Sequence, residues 1–346
     1  MAARAGRDGG GKAVGIRDVA AAARVSVATV SRVLNPELEY PIKEETRARV
    51  LDAIDRLGYR PNDLARALLQ RSTRAIGLVI PDISNPYYPD LVRGCEDVAS
   101  ARGYRVVLCN TDRSAEKTGQ YLNTLVSQRV DGVIVAGGGD ASAWSPEVLD
   151  RYRMRVVVVG RHDVAYPSVQ VDNVAAARAA TDHLIGLGHR HVAFIAGPLG
   201  SNTVKDRLDG YRAALRDRGL SAPGALVREG TFAESSGYDA VAPLLAAHPR
   251  PTALIAANDR MAFGALAALT DHGLRVPDDM SLVGFDDTTL AAYTRPALTS
   301  VAIPTYEIGS TAMTSLLTWR DDDTRPPDAH IDSHLVVRDS SGPPPG

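Results

Sequence analysis

From Ala75 onward, short β-rich runs alternate with helical stretches, and no other feature of the chain narrows its possible folds as much. The runs cover 75–80, 104–109, 132–136, 155–159, 192–196, 253–256 and 280–285. Strands joined by crossover helices pair in parallel, and parallel sheets are covered by helices on both faces. Roughly 260 residues with this many strands exceed what one such sheet needs, which predicts two similar subdomains with a cleft between them.

The segment before this alternation obeys a different period. Apolar residues recur at Ile16, Val19, Ala20 and Ala23, then at Val27, Val30, Val33 and Leu34, then at Val50, Leu51, Ile54 and Leu57, the spacing of three short helices. Arg24 and Val25 fall where a tight interhelix turn belongs, and the Ser26 side-chain oxygen is placed to cap the second helix. With Val30 and Val33 facing a core, Ala28 and Arg32 lie one turn apart on the opposite face, flanked by Thr29, Ser31 and Asn35. Such a face suits groove recognition: a forked donor for a guanine edge, a small residue for close approach, and hydroxyl or amide groups for phosphates.

Charge is divided the same way. Residues 1–74 hold 14 Lys/Arg against 9 Asp/Glu and the remainder 25 against 32, so a net charge of −2 conceals a basic head on an acidic body. Two cysteines, Cys95 and Cys109, allow neither a disulfide framework nor a zinc ligand set. The Gly/Arg-rich start lacks the apolar core of a signal peptide and no run of 18 apolar residues occurs, so a cytoplasmic protein with no membrane partner is expected.

The stretches 16–20 (IRDVA) and 25–35 (VSVATVSRVLN) closely resemble the head of the lactose and galactose repressor family. The resemblance continues through 57–62 (LGYRPN), 65–68 (ARAL), 76–81 (IGLVIP), 84–88 (SNPYY), 188–190 (GHR), 196–198 (AGP), 257–259 (AND), 284–287 (GFDD) and 298–301 (LTSV), almost the whole chain in order. It implies a small all-α helix-turn-helix DNA-binding domain followed by a two-subdomain α/β effector domain like the periplasmic binding proteins, with parallel sheets. It also implies a homodimer that sets two recognition helices in successive major grooves of a near-palindromic double-stranded operator, as a repressor controlled by a small molecule.

By position, Val27 and Ala28 match specificity-setting residues of the family, Arg32 a base-contacting one, and Ser26, Thr29, Ser31 and Asn35 phosphate contacts. Because Val27 and Ala28 offer only van der Waals contact, hydrogen-bonded discrimination falls on Arg32. Three departures stand out: Arg24 replaces the usual Gly of the interhelix turn, the loop after Asn35 is longer and carries Glu37 and Glu39, and Lys43 stands where a capping Ser is usual. Residues 63–69 are too short for a stable isolated helix. In the family this hinge folds on DNA and wedges a leucine into the minor groove, which assigns the wedge to Leu68 and close approach to Ala65; packing of Leu68 and Leu69 on the larger domain is the other reading.

Ligand-facing residues of such a cleft lie past the carboxyl ends of strands. Asp82, Asn85, Tyr88, Arg161, Asn202, Thr203, Arg207, Phe232, Asn258, Asp259 and Asp286 occupy such places. Carboxylate, amide and guanidinium groups beside aromatic faces suit a carbohydrate, whose hydroxyls can be bridged and whose C–H face can be stacked. The resemblance sets Arg207, Asn258 and Asp286 at recurrent polar positions and Phe232 and Tyr88 at stacking ones. It sets Ser201 where a purine-binding relative has an Arg, which weighs against a purine corepressor. Structural roles compete with these: Asn85-Pro86 starts a helix, Asp259 and Asp287 serve as N-caps, and His189 belongs to a helix-ending turn.

Gly137-Gly138-Gly139 lacks the spacing of a dinucleotide or phosphate loop, and no His/Cys cluster, nucleophile elbow or zinc motif is present, so no cofactor, metal or catalytic residue is expected. A two-lobed sugar-binding protein with no transcriptional role is the main alternative, against which the 16–35 motif argues; an enzyme acting on a sugar is the second. The expected organisation is a loose extension (1–13), the DNA-binding domain (14–60), a hinge and linker (61–74), the effector and dimerisation domain (75–339) and a loose tail (340–346). Within the effector domain, one subdomain takes 75–172 and 303–330 and the other 173–302 and 331–339. The Pro/Gly tail cannot form the leucine-rich helix that makes tetramers in the family, which leaves a dimer.

Overall fold

A computed structural model describes residues 14–34, 41–59, 72–137, 146–319 and 324–346. The chain divides into two compact units, Met1–Thr73 and Arg74–Gly346.

In the first unit, helix α1 (Ile16–Ala23), helix α2 (Val27–Leu34) and helix α3 (Glu44–Leu57) surround a core of Val19, Ala20, Ala23, Val30, Val33, Val50 and Ala53. The Asp18 carboxylate accepts the Gly15 N–H at 2.8 Å, opening α1. Arg24 closes it in the left-handed region, at φ 54, so the side chain that replaces the usual glycine carries backbone strain. Ser26 Oγ accepts the Thr29 N–H at 3.1 Å and so caps α2. Two leucines of the expected apolar stripe, Leu51 and Leu57, are exposed, and Ala53 takes the core position beside Val50.

The second unit holds two six-stranded sheets. The first runs in the order β11-β5-β4-β3-β1-β2 and the second β12-β10-β9-β8-β6-β7. The strands are β1 (Ala75–Ile80), β2 (Arg105–Asn110), β3 (Gly132–Ala136), β4 (Val156–Val159), β5 (Ser168–Val171), β6 (Val192–Ala196), β7 (Val227–Glu229), β8 (Ala253–Ala256), β9 (Ser281–Asp286), β10 (Thr299–Ala302), β11 (Ala329–Ile331) and β12 (His334–Val336). Every pairing is parallel except β10 with β12. The inner strands are apolar along their whole length because both faces are covered, as the Val156–Val159 run shows. The chain passes between the sheets after β5, after β10 and between β11 and β12.

The covering helices are α4 (Tyr87–Ala101), α5 (Ala115–Ser127), α6 (Pro146–Arg151), α7 (Asn173–Gly186), α8 (Asn202–Asp217), α9 (Glu234–Leu245), α10 (Asp259–Asp271) and α11 (Thr305–Thr318). Helices α4 and α11 cross in near backbone contact, where a Cβ on Gly94 would collide with the Tyr306 carbonyl and one on Gly309 with that of Leu91. Among the described residues, no helix is long and apolar enough to cross a membrane.

The end of the chain is not the loose tail its Pro/Gly content suggests. Ser340 is buried: its Oγ donates to Leu282 O at 2.6 Å and accepts from Thr299 N at 2.8 Å, and its carbonyl accepts from Leu282 N at 2.7 Å. His189 closes the turn after its helix as expected, its N–H donating to Leu184 O at 3.2 Å, and its side chain is buried beneath this segment, bonding through Nε2 to Gly342 O at 2.9 Å. Satisfied backbone groups, rather than apolar content, hold the segment down.

Candidate functional site

Two sites emerge, one in each unit. On α2, Val30 and Val33 are buried while Ser26, Val27, Ala28 and Arg32 are exposed and Thr29 and Ser31 half-buried, so the helix shows solvent a face with one long cation and small neighbours. Val27 is 42% exposed at the start of this face. Asn35, Ala65, Leu68 and the loop after Asn35 lie outside the described residues.

In the second unit a pocket opens between the two sheets, walled by residues just past strand ends: Asn85 and Tyr88 after β1, Gly160 after β4, Asn173 after β5, Phe232 after β7, Asn258 after β8 and Asp286 at the end of β9. Arg207, one turn into α8, reaches in from the side. Its Nε donates to Asn173 Oδ1 at 2.9 Å, its Nη1 to the Ala257 carbonyl, and its guanidinium lies 4.4 Å from the Phe285 ring centre. Asn258 caps α10, accepting the Met261 N–H at 2.9 Å, and donates to Phe232 O at 3.0 Å.

Asp286 is fixed in an unusual conformation, with φ 102, and Asp287 follows at φ 52. Asp287 holds this turn by pairing with Arg338 at 2.6 Å and by donating its N–H to Ser300 Oγ at 3.1 Å, so it is not a helix cap. Strain in consecutive non-glycine residues persists only where the surroundings impose it, and here it turns the Asp286 carboxyl toward the pocket. Burial pushes that carboxyl up to about 8, Arg207 pulling it back and Asp259 adding to the rise. Asp259 does not cap its helix either. It accepts from Thr288 N at 2.7 Å and Ser300 Oγ at 2.6 Å, and burial raises it to about 7 against those hydrogen bonds.

Seven of the expected ligand residues line this pocket: Asn85, Tyr88, Thr203, Arg207, Phe232, Asn258 and Asp286. Asp82, Arg161 and Asn202 do not, because each is drawn into a contact across the cleft mouth. Arg161, after β4, forms a paired bond with Asp206 of α8 at 2.9 and 2.7 Å. Asn202 donates to the Arg161 carbonyl at 3.3 Å. Asp82, after β1, lies 3.3 Å from Arg260 of α10, which also grips Glu234 with two bonds of 2.7 Å. Partial burial raises the Asp82 carboxyl, but bonds from Ser84 and the charge of Arg260 hold it below its ordinary value. Phe232 differs from expectation in another way: Arg113 lies over its ring at 4.8 Å and the ring tip rests against Gly197, so the face expected to stack a ligand is covered.

Tyr87, Arg113, Asn173 and Ser201 also line the pocket. Arg113 follows β2 and was open to the same strand-end rule. Asn173 follows β5, whose four residues leave too little pattern to mark a strand.

Comparison with known proteins turns this geometry into a lineage. Residues 15–62 match the family model for bacterial regulatory proteins, lacI family, and residues 181–341 that for a periplasmic binding protein-like domain. The catabolite control protein A of Priestia megaterium is 39% identical over 327 residues, 93% of this chain and 96% of its own length. The chain belongs to the lacI family of bacterial regulatory proteins. The ribose operon repressor of Halalkalibacterium halodurans is 39% identical over 94% of this chain and 96% of its own. The lac repressor dimer, solved bound to operator and the anti-inducer ONPF, superposes with a TM-score of 0.85 at 29% identity, covering 96% of this chain and 100% of that one. This lacI-family chain is therefore a DNA-binding transcriptional regulator built from a helix-turn-helix head and a periplasmic-binding-protein-like domain, and like its relatives it is not an enzyme.

Proposed function

We propose that this regulator is a cytoplasmic repressor that binds a palindromic operator as a homodimer and changes its grip when a sugar or sugar derivative occupies the cleft. The observation that carries the reading is a set of polar groups opening onto one pocket whose hydrogen-bonding capacity the described residues leave unmet. Asp286 has Arg207 at 3.7 Å and no closer donor, Asn85 uses its oxygen but not its amide nitrogen, and the Tyr88 hydroxyl has no partner among the described residues. These groups face the pocket with donors and acceptors to offer, and a polyhydroxylated ligand supplies the partners they lack. Related structures hold such ligands: a CelR regulator with cellobiose and an Enterococcus faecium regulator with ribose.

On the head, Arg32 reads a base edge, Val27 and Ala28 make apolar contact, and Ser26, Thr29, Ser31 and Asn35 hold phosphates, with Ala65 and Leu68 at the operator centre. In the cleft, Arg207, Asp286, Asn258, Asn85 and Tyr88 face the effector, with Phe232 backing Arg113 rather than stacking on the ligand. Selection of bound DNA from random duplexes, with and without a panel of sugars, tests both halves. A palindrome is expected, with Arg32→Ala weakening it by roughly 1–3 kcal/mol at one position of each half-site. Enrichment of no palindrome defeats the DNA half, and enrichment indifferent to every sugar defeats the effector half.

A further inference from the structure

The pocket lining carries more positive charge than its carboxyl groups answer. Arg207 faces Asp286, the carboxyl of the lining, whereas Arg113, exposed at the pocket, makes no ion pair among the described residues, lies over the Phe232 ring at 4.8 Å and acts on Asp82 through its charge alone. The acids nearby are engaged elsewhere: Asp112 with Lys117, Asp82 and Glu234 with Arg260, and Asp206 with Arg161.

The groups that share the lining with Arg113 are donors. Tyr88 is 5% exposed, its hydroxyl has no hydrogen-bond partner among the described residues, and burial raises it so that it stays a protonated phenol in the field of Arg113. Asn85, 6% exposed, has its amide nitrogen to offer, since its oxygen is committed to the Tyr87 N–H at 3.1 Å. Ser201 precedes the 16-residue helix α8 without capping it, and Thr203 lies in the first turn, where backbone N–H groups lack intrahelical acceptors and the helix dipole is positive. A guanidinium, a phenol, an amide nitrogen and two hydroxyls around one cavity call for an acceptor-rich, negatively charged group. A neutral sugar offers the exposed Arg113 no ion pair to replace its hydration, whereas an anionic group offers a charge-assisted bond.

We propose that the effector is a sugar bearing an anionic substituent, a phosphate or a carboxylate, seated between Arg113 and the first turn of α8, with its ring hydroxyls on Arg207, Asp286 and Asn258. This rests on the sugar-responsive reading of the same pocket. The test is calorimetric titration of the full-length protein with aldopentoses and aldohexoses, each as the free sugar, the terminal phosphate and the aldonate, at low and high salt. At least one anionic derivative is expected to bind about tenfold or more tightly than its neutral parent, by an amount that shrinks with salt. Arg113→Gln is expected to abolish this preference and Arg113→Lys to retain part of it, and the phosphate and aldonate arms tell the two substituents apart. Neutral sugars binding as tightly as their anionic forms, or a preference untouched in Arg113→Gln, overturns the inference and leaves the sugar reading standing. Failure of every sugar, neutral or charged, overturns both.

Discussion

Arg207 and Asp286 confront each other inside the cleft with Nη1 3.7 Å from Oδ1, near enough to feel one another's charge and too far apart for a hydrogen bond. The gap is where a ligand hydroxyl fits, donating to the carboxylate and accepting from the guanidinium. Burial puts the carboxyl near 8, against roughly 3.9 in an unfolded chain. Between those values the folded state keeps a proton that the unfolded state has lost, so stability measured without effector declines as pH rises through that window. A donating hydroxyl favours the ionised form and expels the proton. Effector affinity is therefore expected to climb with pH up to about 8 and level off above it, with proton release visible in buffers of different ionisation enthalpy once the ligand's own titration is subtracted. Asp286→Asn should flatten the profile. Proton uptake on binding, or a flat profile in the unaltered protein, contradicts this account.

The same relationship limits what Arg207→Met can cost. Breaking a fully ionised buried pair costs about 3–5 kcal/mol because a charge is stranded. Here the stranded partner can hold its proton, so the loss reduces to Asn173 and the Ala257 carbonyl left without their donor, about 1–3 kcal/mol each by urea unfolding, and it stays constant as pH falls below 7. A loss that shrinks between pH 7 and pH 5 would show Asp286 to be ionised beside Arg207. Effector binding should disappear in either event.

Across the cleft mouth, Arg161–Asp206 and Asp82–Arg260–Glu234 join strand ends of the first sheet to helices of the second. Arg161 is 43% exposed, which holds the stability change in Asp206→Ala under about 1 kcal/mol. Both ties form only when the lobes are together, so their removal should raise the effector dissociation rate several-fold and expand the ligand-free protein in small-angle scattering. If dissociation is as slow in Asp206→Ala combined with Arg260→Ala as in the unaltered protein, the ties do not latch the cleft.

The parallel sheets were legible because strands covered on both faces must be apolar throughout, as Val156–Val159 and Val192–Ala196 are. Strands β5, β7, β10, β11 and β12 escaped notice because three or four residues seldom establish a period. For the pocket, the strand-end rule located Arg207, Asn258 and Asp286 but could not separate them from Asp82 and Arg161. Position along the chain says that a side chain starts at the cleft; it does not say that Asp206 or Arg260 waits opposite to claim it. In the head, Ala53 was passed over for Leu51, since hydrophobicity ranks leucine higher while helix geometry puts alanine at the narrow crossing.

Arg24 supplies a test of strain. A non-glycine residue at φ 54 costs about 1 kcal/mol or more relative to glycine, and the side chain is exposed with no compensating contact evident in its turn. Arg24→Gly is expected to stabilise the head by roughly 1 kcal/mol, read as slower hydrogen exchange across α1 and α2. Unchanged or faster exchange would mean that the guanidinium contributes more than its backbone costs.

The last segment of the chain gives the fold a sensitivity to acid. His189 touches Thr252 Oγ1 at 2.9 Å through Nδ1 and both Ser281 Oγ and Gly342 O through Nε2, and His183 meets Ser341 Oγ at 2.9 Å. Burial lowers both imidazoles below their ordinary value of about 6.5, so the unfolded chain takes up protons that the folded one resists. Their contribution to stability is whole above pH 6.5 and drains away as pH falls below it. Deleting 340–346 removes the Ser340 bonds to Leu282 and Thr299 and opens His189 to water, which returns the imidazole toward its ordinary value. The shortened protein is therefore expected to be less stable by at least about 2 kcal/mol at pH 7.5, yet to lose less further stability between pH 6.5 and 5.5 than the full chain does. Thermal melts of both chains across that range settle the matter. Parallel pH profiles would place the acid sensitivity elsewhere, and equal stability at pH 7.5 would show that the Ser340 bonds hold nothing in solution.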